Sequence, residues 1–527
     1  MSDDALSPGP AKTGQLTTTG KYLIIITAFF GWFFGGSHMA INGLAMRTAA
    51  LNLLAVSDEG QATDEDDKTL QALTLKLDLD GDGQIQTAAF DRGLTNQDSK
   101  PGEISKQELT EVGLTKNPDV VSVLGVAGDK DGIISPAELQ RYVIDARLGP
   151  RAGKWFGYYI CAFLFGAAFG GLVFGRIGDR YGRSTGLAAA IAWYSGASLV
   201  SYFSQTTGQL WILRFVTCMG VGGVWPNGVA LMSEAWEGVS RPMLAGVIGT
   251  AANVGIFLTF MLGGQVGVEF DSWRWILLFG GSPIVLAVFV ALLVPESPRW
   301  LADRERLMAG TDSADPLLTA EQPVSTWEVF KPALLGITLV GILLATVPLL
   351  GGWGASNWAM AWADKVGDEV GNPGLKADLG MARSFTGMIG SFLGGMIASA
   401  VGRKRSYFAV SLLCLASAEV SYFFFTPDQT AFLVGFAFLG FFSGIFFGWL
   451  PLFLPELFVT RIRSTGAGVC FNFGRIITAL TVFAGAILID AFNEDYALLG
   501  KIMSLIYLLG AIGICLMPKG VGGDLKD

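Results

Sequence analysis

The chain has 527 residues and a net charge of −9, and 51% of its residues are hydrophobic while only 15% are charged. A soluble domain carries about 25% charged residues, so this composition excludes an ordinary water-soluble protein. The sequence contains no nucleotide-binding loop and no catalytic constellation, which argues against an enzyme, and nothing in it indicates a nucleic-acid partner.

Apolar runs divide the chain into membrane spans. A helix needs about 20 apolar residues to cross a bilayer, and about twelve such runs are present. The predicted fold class is an all-α membrane protein with twelve transmembrane helices in two six-helix bundles, plus a small α-helical domain outside the membrane. The runs lie near residues 22–50, 155–176, 185–204, 209–233, 243–265, 273–294, 333–361, 380–401, 406–425, 429–454, 465–489 and 496–517.

The linkers between the spans alternate in charge, with Lys and Arg on every second one. Such linkers stay in the cytoplasm, which predicts a multi-pass protein of a bacterial inner membrane with both termini inside. We also expect the protein to be a monomer. The predicted division is a cytoplasmic tail (1–21), the first span (22–56), a periplasmic or extracellular domain (57–154), spans two to six (155–294), a cytoplasmic linker (295–332), spans seven to twelve (333–517) and a second cytoplasmic tail (518–527).

A charged motif occurs once in each half of the chain. Spans two and three are joined by GRIGDRYGR at residues 175–183, and spans eight and nine by a shorter copy, VGRKR, at 401–405. Glycines permit a tight turn, and Asp179 can accept hydrogen bonds from a helix N-terminus or an arginine. Corresponding motifs in the two halves indicate an internal duplication. The alternative is a charged turn that only follows the positive-inside rule.

Three further segments narrow the interpretation. Span four contains RFVTCMGVGG at residues 214–223, span six is followed by PESPRWL at 295–301, and span ten by PELFVTRIRSTG at 455–466. With the motif pair, these segments resemble the major facilitator superfamily, in its branch of sugar porters, organic ion transporters and aromatic-acid symporters, over all of the chain except 57–154. The resemblance implies two bundles around a central cavity, alternating access and a substrate site near the bilayer midplane.

The resemblance also implies a cytoplasmic gate of ion pairs that break and re-form during transport. Interfacial charges without such a role are the alternative. The matching residues are Asp179, Arg183, Glu234 and Arg241 in the first half and Arg403, Glu456 and Arg463 in the second.

Ionisable residues inside a span are costly and by default indicate function. We expect Arg475 in span eleven to anchor the substrate, because a guanidinium with little water around it favours a bidentate anion. Organic anion carriers of the resembling family also tend to be basic at the matching position. An arginine held by backbone carbonyls is the alternative. Other ionisable candidates in or near spans are Arg47, Arg214, Arg383 and Glu419, of which Arg214 and Glu419 are candidates for ion coupling.

Span one departs from the resembling aromatic-acid symporters, which tend to carry G-W-x-x-D-G-x-D. The chain has GWFFGGSH at residues 31–38, so both acidic positions are lost and His38 takes the second. This loss favours uniport or exchange over proton symport by the usual carboxylate. The imidazole of His38 is a candidate for substrate binding and for coupling, because it titrates near neutrality, and a packing role is the alternative.

Span seven adds aromatic side chains at helical spacing, which suits stacking against a planar or sugar-like ligand. An aromatic belt at the outer membrane interface is the alternative. With the polar side chains of neighbouring spans, the remaining substrate-binding candidates are Asn42, Trp353, Asn357, Trp358 and Asn472.

The segment 57–154 contains three sequences similar to a calcium-binding EF-hand loop. DLDGDGQI at 78–85 matches the first eight positions, DKDGIISPAE at 129–138 keeps positions 3, 5 and 12, and a third copy at 100–108 retains the glycine, the isoleucine and the final Glu. Ala89 replaces the last ligand of the first loop, so we expect weak binding of a structural Ca²⁺. The predicted metal ligands are Asp78, Asp80, Asp82, Gln84, Asp129, Asp131, Ile133 and Glu138.

These patterns predict a secondary active or facilitative transporter of a small organic metabolite, with an organic anion favoured and Ca²⁺ bound in the external domain. A sugar or polyol porter is the first alternative. A membrane sensor or adhesion protein that transports nothing is the second.

Overall fold

The computed structural model describes residues 16–56, 104–105, 133–134, 136–236, 241–308, 326–370, 372–458, 462–489, 492 and 495–517. Within these ranges the chain forms a bundle of long helices and one short pair of antiparallel strands. The first half of the bundle covers residues 16–308, and the second half covers residues 326–517.

The described residues of the first half form eight helices and the two strands. They are α1 (Thr18–Val56), β1 (Ile104–Ser105), β2 (Ile133–Ile134), α2 (Pro136–Tyr181), α3 (Arg183–Ser201), α4 (Thr207–Ala235), α5 (Arg241–Val266), α6 (Trp275–Gly281), α7 (Ile284–Leu293) and α8 (Pro298–Met308).

The second half again consists of long helices, preceded by a 3₁₀ turn at Thr326–Phe330. The helices are α9 (Pro332–Leu350), α10 (Ser356–Glu369), α11 (Leu375–Val401), α12 (Arg403–Phe424), α13 (Thr430–Glu456), α14 (Arg463–Leu488), α15 (Tyr496–Ser504) and α16 (Ile506–Cys515).

Eleven helical segments of the described chain are long and apolar enough to cross a membrane. Large apolar side chains such as Leu172, Val285 and Phe424 are exposed on the outside of the bundle, as a surface in contact with lipid requires. The predicted third span forms α3, a helix of 19 residues outside this set of eleven. The membrane-embedded helical fold is therefore confirmed, and the twelfth span stays a prediction.

Three predicted spans are interrupted in the structure. The twelfth breaks at Leu505, between α15 and α16. The sixth breaks between α6 and α7 at Pro283, which cannot donate a backbone hydrogen bond within a helix. The seventh contains a π-helical turn at Gly351–Ala355 between α9 and α10. Such turns interrupt the regular hydrogen-bond ladder and often occur at functional sites. In this chain the turn lies beside the central cavity described below.

The internal duplication is visible in the backbone of the two motif copies. Gly182 immediately precedes α3 with φ 116°, and Gly402 immediately precedes α12 with φ 96°. Both residues therefore adopt a conformation that is essentially restricted to glycine. The same turn occurs at the same place in each half, which explains why both motif copies contain a glycine there.

The two halves pack together near the ends of α1 and α2 that adjoin the segment 57–135, which we call the insertion end of the bundle. We call the opposite end, with the charged motif and its copy, the motif end. Gly157 of α2 lies so close to Ala486 of α14 that a side chain at Gly157 would collide with it. This close approach is one reason for a glycine in the middle of α2.

The strand pair joins two of the EF-hand-like copies at equivalent positions. Ile104 pairs with Ile134, and each isoleucine lies two residues after the glycine of its copy, Gly102 or Gly132. The helix α2 begins at Pro136, well before the predicted span at 155–176. Of the predicted metal ligands, Asp78, Asp80, Asp82, Gln84, Asp129 and Asp131 lie outside the described residues, as does the side chain of Glu138.

We expect the substitution Gly402→Ala to lower the free energy of unfolding by about 1–3 kcal/mol, because alanine is strained at this backbone conformation. No atom lies within 4 Å of the added methyl group, so strain alone is tested. Gly336→Ala in α9 is the matched control, since its methyl group is equally unobstructed and its backbone is helical. Thermal unfolding in detergent should show a lower midpoint for Gly402→Ala only; equal midpoints for the two variants would contradict the expectation.

Candidate substrate cavity

A cavity of about 410 Å³ lies between the two halves of the bundle. Its walls come from both halves, and they are mainly aromatic and aliphatic. The charged and amide side chains in the wall are Arg383, Arg475, Asn253, Asn357 and Asn472. No carboxylate belongs to the wall in the described part of the chain, so the cavity carries positive charge.

Arg475 of α14 lies in the cavity wall with 9% of its surface exposed. Its Nη1 donates one long hydrogen bond, 3.4 Å, to the carbonyl oxygen of Ala167 in the first half. The guanidinium also lies 4.6 Å from the ring centre of Phe471, one helical turn earlier. A cation–π contact and one long hydrogen bond use little of the capacity of five N–H donors, so Arg475 can bind an anion.

Arg383 of α11 lines the same cavity, close to the π-helical turn. Its Nε is buried and has no hydrogen-bond partner among the described residues. The sequence offered one signal for this residue, its position inside a span, which it shares with Arg47 and Arg214. The structure shows the difference, because Arg383 lines the cavity and the other two do not.

Aromatic rings form much of the remaining wall. Trp32 of α1 packs against Trp225 of α4 with 4.9 Å between ring centres. Trp353, in the π-helical turn, stacks on Phe163 of α2 at 4.3 Å. These rings offer flat apolar surfaces on both sides of the interface between the halves, and Trp32 and Trp225 were not predicted as site residues.

The substrate-binding candidates separate into two groups. Arg475, Trp353, Asn357 and Asn472 line the cavity. Trp358 is instead fully buried between Phe156 and Tyr496, away from the cavity wall. His38 and Asn42 are also outside the wall, and both are fully buried.

His38 and Asn42 belong to a polar cluster that holds α1, α4 and α6 together. The Nε2 of His38 donates to the carbonyl oxygen of Gly280 at 3.0 Å. Arg214 donates from Nη2 to the carbonyl oxygen of His38 at 3.1 Å and to Oδ1 of Asn42 at 2.9 Å. These contacts place all three residues between packed helices of the first half and outside the cavity wall.

Glu419, the remaining candidate for ion coupling, lies on α12 at the periphery of the second half. It accepts a hydrogen bond from the hydroxyl group of Ser504 at the end of α15. Glu419 therefore joins two helices of the same half and does not line the cavity.

The predicted gate charges form two separate networks at the motif end. Arg183 contacts Asp179 and lies 3.8 Å from Glu234, which also accepts a hydrogen bond from Ser297. These residues all belong to the first half.

The corresponding network of the second half joins α12 to α13. Nη2 of Arg403 lies 3.2 Å from Oε1 of Glu456. The side chains of Arg241 and Arg463 lie outside the described part of the structure. Neither network described at this end crosses between the halves.

A buried cluster of three charges joins the halves at the insertion end. Asp364 of α10 accepts from Nη1 of Arg47 at 3.0 Å and from Nζ of Lys376 at 2.6 Å. All three side chains are at most 6% exposed. Lys376 also donates to Oγ1 of Thr48 at 2.9 Å and to the carbonyl oxygen of Val268 at 3.1 Å.

The cavity lies between the charge cluster and the motif-end networks. Ala40 lines the cavity seven residues before Arg47 on α1, which corresponds to about 10 Å along a helix. At the other end, Leu454 and Pro455 line it immediately before Glu456. The insertion end is therefore joined across the halves by the Arg47–Asp364 ion pair and by the hydrogen bonds of Lys376. The cavity extends from there to the level of the motif-end networks.

We expect Asp364→Asn to lower the free energy of unfolding by about 3–5 kcal/mol, because it leaves two buried cations without their anion. Glu269→Gln removes the same charge from an exposed residue and is the control. The midpoint of thermal unfolding in detergent is measured for both variants. An Asp364→Asn midpoint as high as that of the control would show that the cluster does not stabilise the fold.

Comparison with known proteins finds relatives that are described as transport proteins. The family model described as sugar (and other) transporter matches residues 85–326. A putative metabolite transport protein of Haemophilus influenzae is 28% identical over 389 residues, which cover 72% of this chain and 90% of that protein. A cis,cis-muconate transport protein of Acinetobacter baylyi is 25% identical over 319 residues, covering 60% and 74%.

The fold is similar to a solved structure of the xylose transporter XylE from E. coli. The TM-score is 0.59 at 14% sequence identity, and the match covers 94% of this chain and 97% of that one. The chain is therefore a multi-pass membrane protein whose fold is similar to that of this xylose transporter.

Proposed function

We propose that the protein carries a small organic anion across the membrane by alternating access. The observation that carries this proposal is the cavity itself, which contains the guanidinium groups of Arg383 and Arg475 and, among its described lining residues, no carboxylate to neutralise them. A buried cation is costly without a counter-ion. An anionic substrate supplies that counter-ion when it binds.

The similarity to known transporters supports the proposal. One relative is described as a transport protein for cis,cis-muconate, which is an organic anion at neutral pH. The apolar walls contributed by Trp32, Trp225 and Trp353 suit the carbon skeleton of such an acid, and the cationic groups suit its carboxylate.

The charge networks support alternating access. Arg47 and Asp364 join the two halves at the insertion end, whereas the Arg183–Glu234 and Arg403–Glu456 contacts each stay inside one half. We assign the motif end to the cytoplasm from the charge of its linkers. The structure then corresponds to a carrier closed on the outside, with its cavity extending toward the cytoplasm.

A sugar or polyol is the second candidate substrate. The observation in its favour is the combination of tryptophan rings with the amide groups of Asn253, Asn357 and Asn472 around one cavity. Stacking on tryptophan and hydrogen bonding to amides suits a hydroxylated ring, and neither contact uses the two arginines. Transport measurements can therefore distinguish the two candidates.

We expect purified protein in proteoliposomes to take up radiolabelled benzoate and muconate but not xylose. Arg475→Gln should reduce anion uptake at subsaturating substrate by about tenfold or more, because it removes a charge-assisted interaction of roughly 1.5–3 kcal/mol.

Arg405→Gln is the control, since it removes the same charge from an exposed residue outside the cavity. Uptake of xylose alone would favour the sugar porter. Uptake of none of the three solutes across imposed gradients would favour a membrane sensor that transports nothing.

We further propose that the segment 57–154 binds Ca²⁺ through its EF-hand-like copies. The support from the structure is the register of β1 and β2, which pairs equivalent positions of two copies, Ile104 with Ile134. EF-hand ligands are carboxylates and carbonyl oxygens, and the sequence supplies these donor types at Asp129, Asp131 and Ile133.

We expect millimolar Ca²⁺ to raise the midpoint of thermal unfolding of this segment, since an ion that binds only the folded state stabilises it. Circular dichroism of the full chain in detergent, with Ca²⁺ or with chelator, measures the effect. Mg²⁺ at the same concentration is the control for ionic strength. A melting profile identical in Ca²⁺ and in chelator would contradict the calcium proposal and leave the transport proposal intact.

A further inference from the structure

The two cavity arginines suggest a more specific substrate than an organic anion in general. We infer that Arg383 is a specificity-determining residue that, together with Arg475, selects acids with two carboxylates joined by a flat apolar skeleton. This inference rests on the proposed function, because it concerns the same cavity.

The helix α11 also contains Lys376, a buried cation whose charge is neutralised by Asp364. Lys376 is bonded to Asp364, to Thr48 and to a backbone carbonyl. Arg383 lies seven residues later, about two turns along the same helix and therefore on a similar face. Among the described residues, no carboxylate lies within 4 Å of Arg383, and its buried Nε has no partner.

Arg475 is similar in this respect, although it lies on a different helix. Its contacts in the described structure are a long hydrogen bond to a carbonyl oxygen and the face of Phe471. Neither contact supplies a negative charge. A ligand with one carboxylate would neutralise one of the two guanidinium groups and leave the other in an apolar cavity, whereas a ligand with two carboxylates can neutralise both.

The cavity wall beside Arg383 favours a flat apolar skeleton in the ligand. Arg383 lies beside the π-helical turn that presents Trp353, since a methyl group added at Gly352 would be 3.6 Å from its Nη2. Trp353 is in turn stacked on Phe163, which fixes the plane of its ring. A conjugated or aromatic skeleton can lie against such fixed rings without losing much conformational freedom.

The test compares two acids that differ only at one end. Muconate is a conjugated six-carbon chain with a carboxylate at each end, and sorbate is the same chain with one carboxylate replaced by a methyl group. Uptake kinetics in proteoliposomes and ligand-induced shifts in thermal midpoint in detergent are measured for the wild type, Arg383→Gln, Arg383→Lys and the exposed control Arg405→Gln.

We expect the wild type and the control to have a KM for muconate that is about tenfold or more below that for sorbate. Arg383→Gln should abolish this preference by raising the KM for muconate, and Arg383→Lys should retain most of it. The thermal shift by muconate should decrease in parallel, which distinguishes weaker binding from slower transport.

Two results would overturn the inference while the proposed function stands: equal KM values for the two acids in the wild type, or an equal loss for both acids in Arg383→Gln. Uptake of neither acid by the wild type, together with uptake of xylose, would overturn both. Arg383→Lys keeps the test valid if the neutral variant does not fold.

Discussion

The cost of a charge away from water governs the arrangement of this bundle. Asp364 neutralises Arg47 and Lys376 where the halves meet, and Arg214 is held by a backbone carbonyl and an amide. Arg383 and Arg475 have no comparable partners in the described chain. Arg47, Lys376 and Arg214 connect neighbouring helices through these partners, although Nε and Nη1 of Arg214 have no hydrogen bond among the described residues. Arg383 and Arg475 face the cavity instead.

The duplication explains why the two ends of the bundle behave differently. Each half repeats a glycine-arginine turn and an ion pair at the motif end, Arg183 with Glu234 and Arg403 with Glu456. The cluster at the insertion end has no repeat of this kind, because its members come from α1, α10 and α11. Contacts repeated within the halves leave them able to move as units, and a contact formed once between them sets their relative position.

Much of the fold was predictable from local patterns, because each span is a continuous apolar run and each motif copy is a continuous segment. The position of Arg475 inside a membrane span was also predictable, since a basic residue within an apolar run is conspicuous. The ion pair of Arg47 with Asp364 was not, because 317 residues separate its members and Asp364 belongs to an acidic stretch that reads as an exposed linker. The hydrogen bond from the ring of His38 to the carbonyl oxygen of Gly280 in α6 was not predictable either, because these two residues are also far apart in the sequence.

The charge cluster also makes the energy barrier to opening at the insertion end different from that at the motif end. Asp364 and Lys376 belong to the same half, so they stay paired when the halves separate at the insertion end. Arg47 has to exchange its carboxylate for water and dissolved anions, and Lys376 has to exchange its hydrogen bonds to Thr48 and to the carbonyl oxygen of Val268 for water. Opening on this side thus requires the rehydration of both cations, and salt eases the separation of Arg47 from Asp364 by screening the charges as they part. A carrier built in this way would exchange conformations faster in a concentrated medium than in a dilute one.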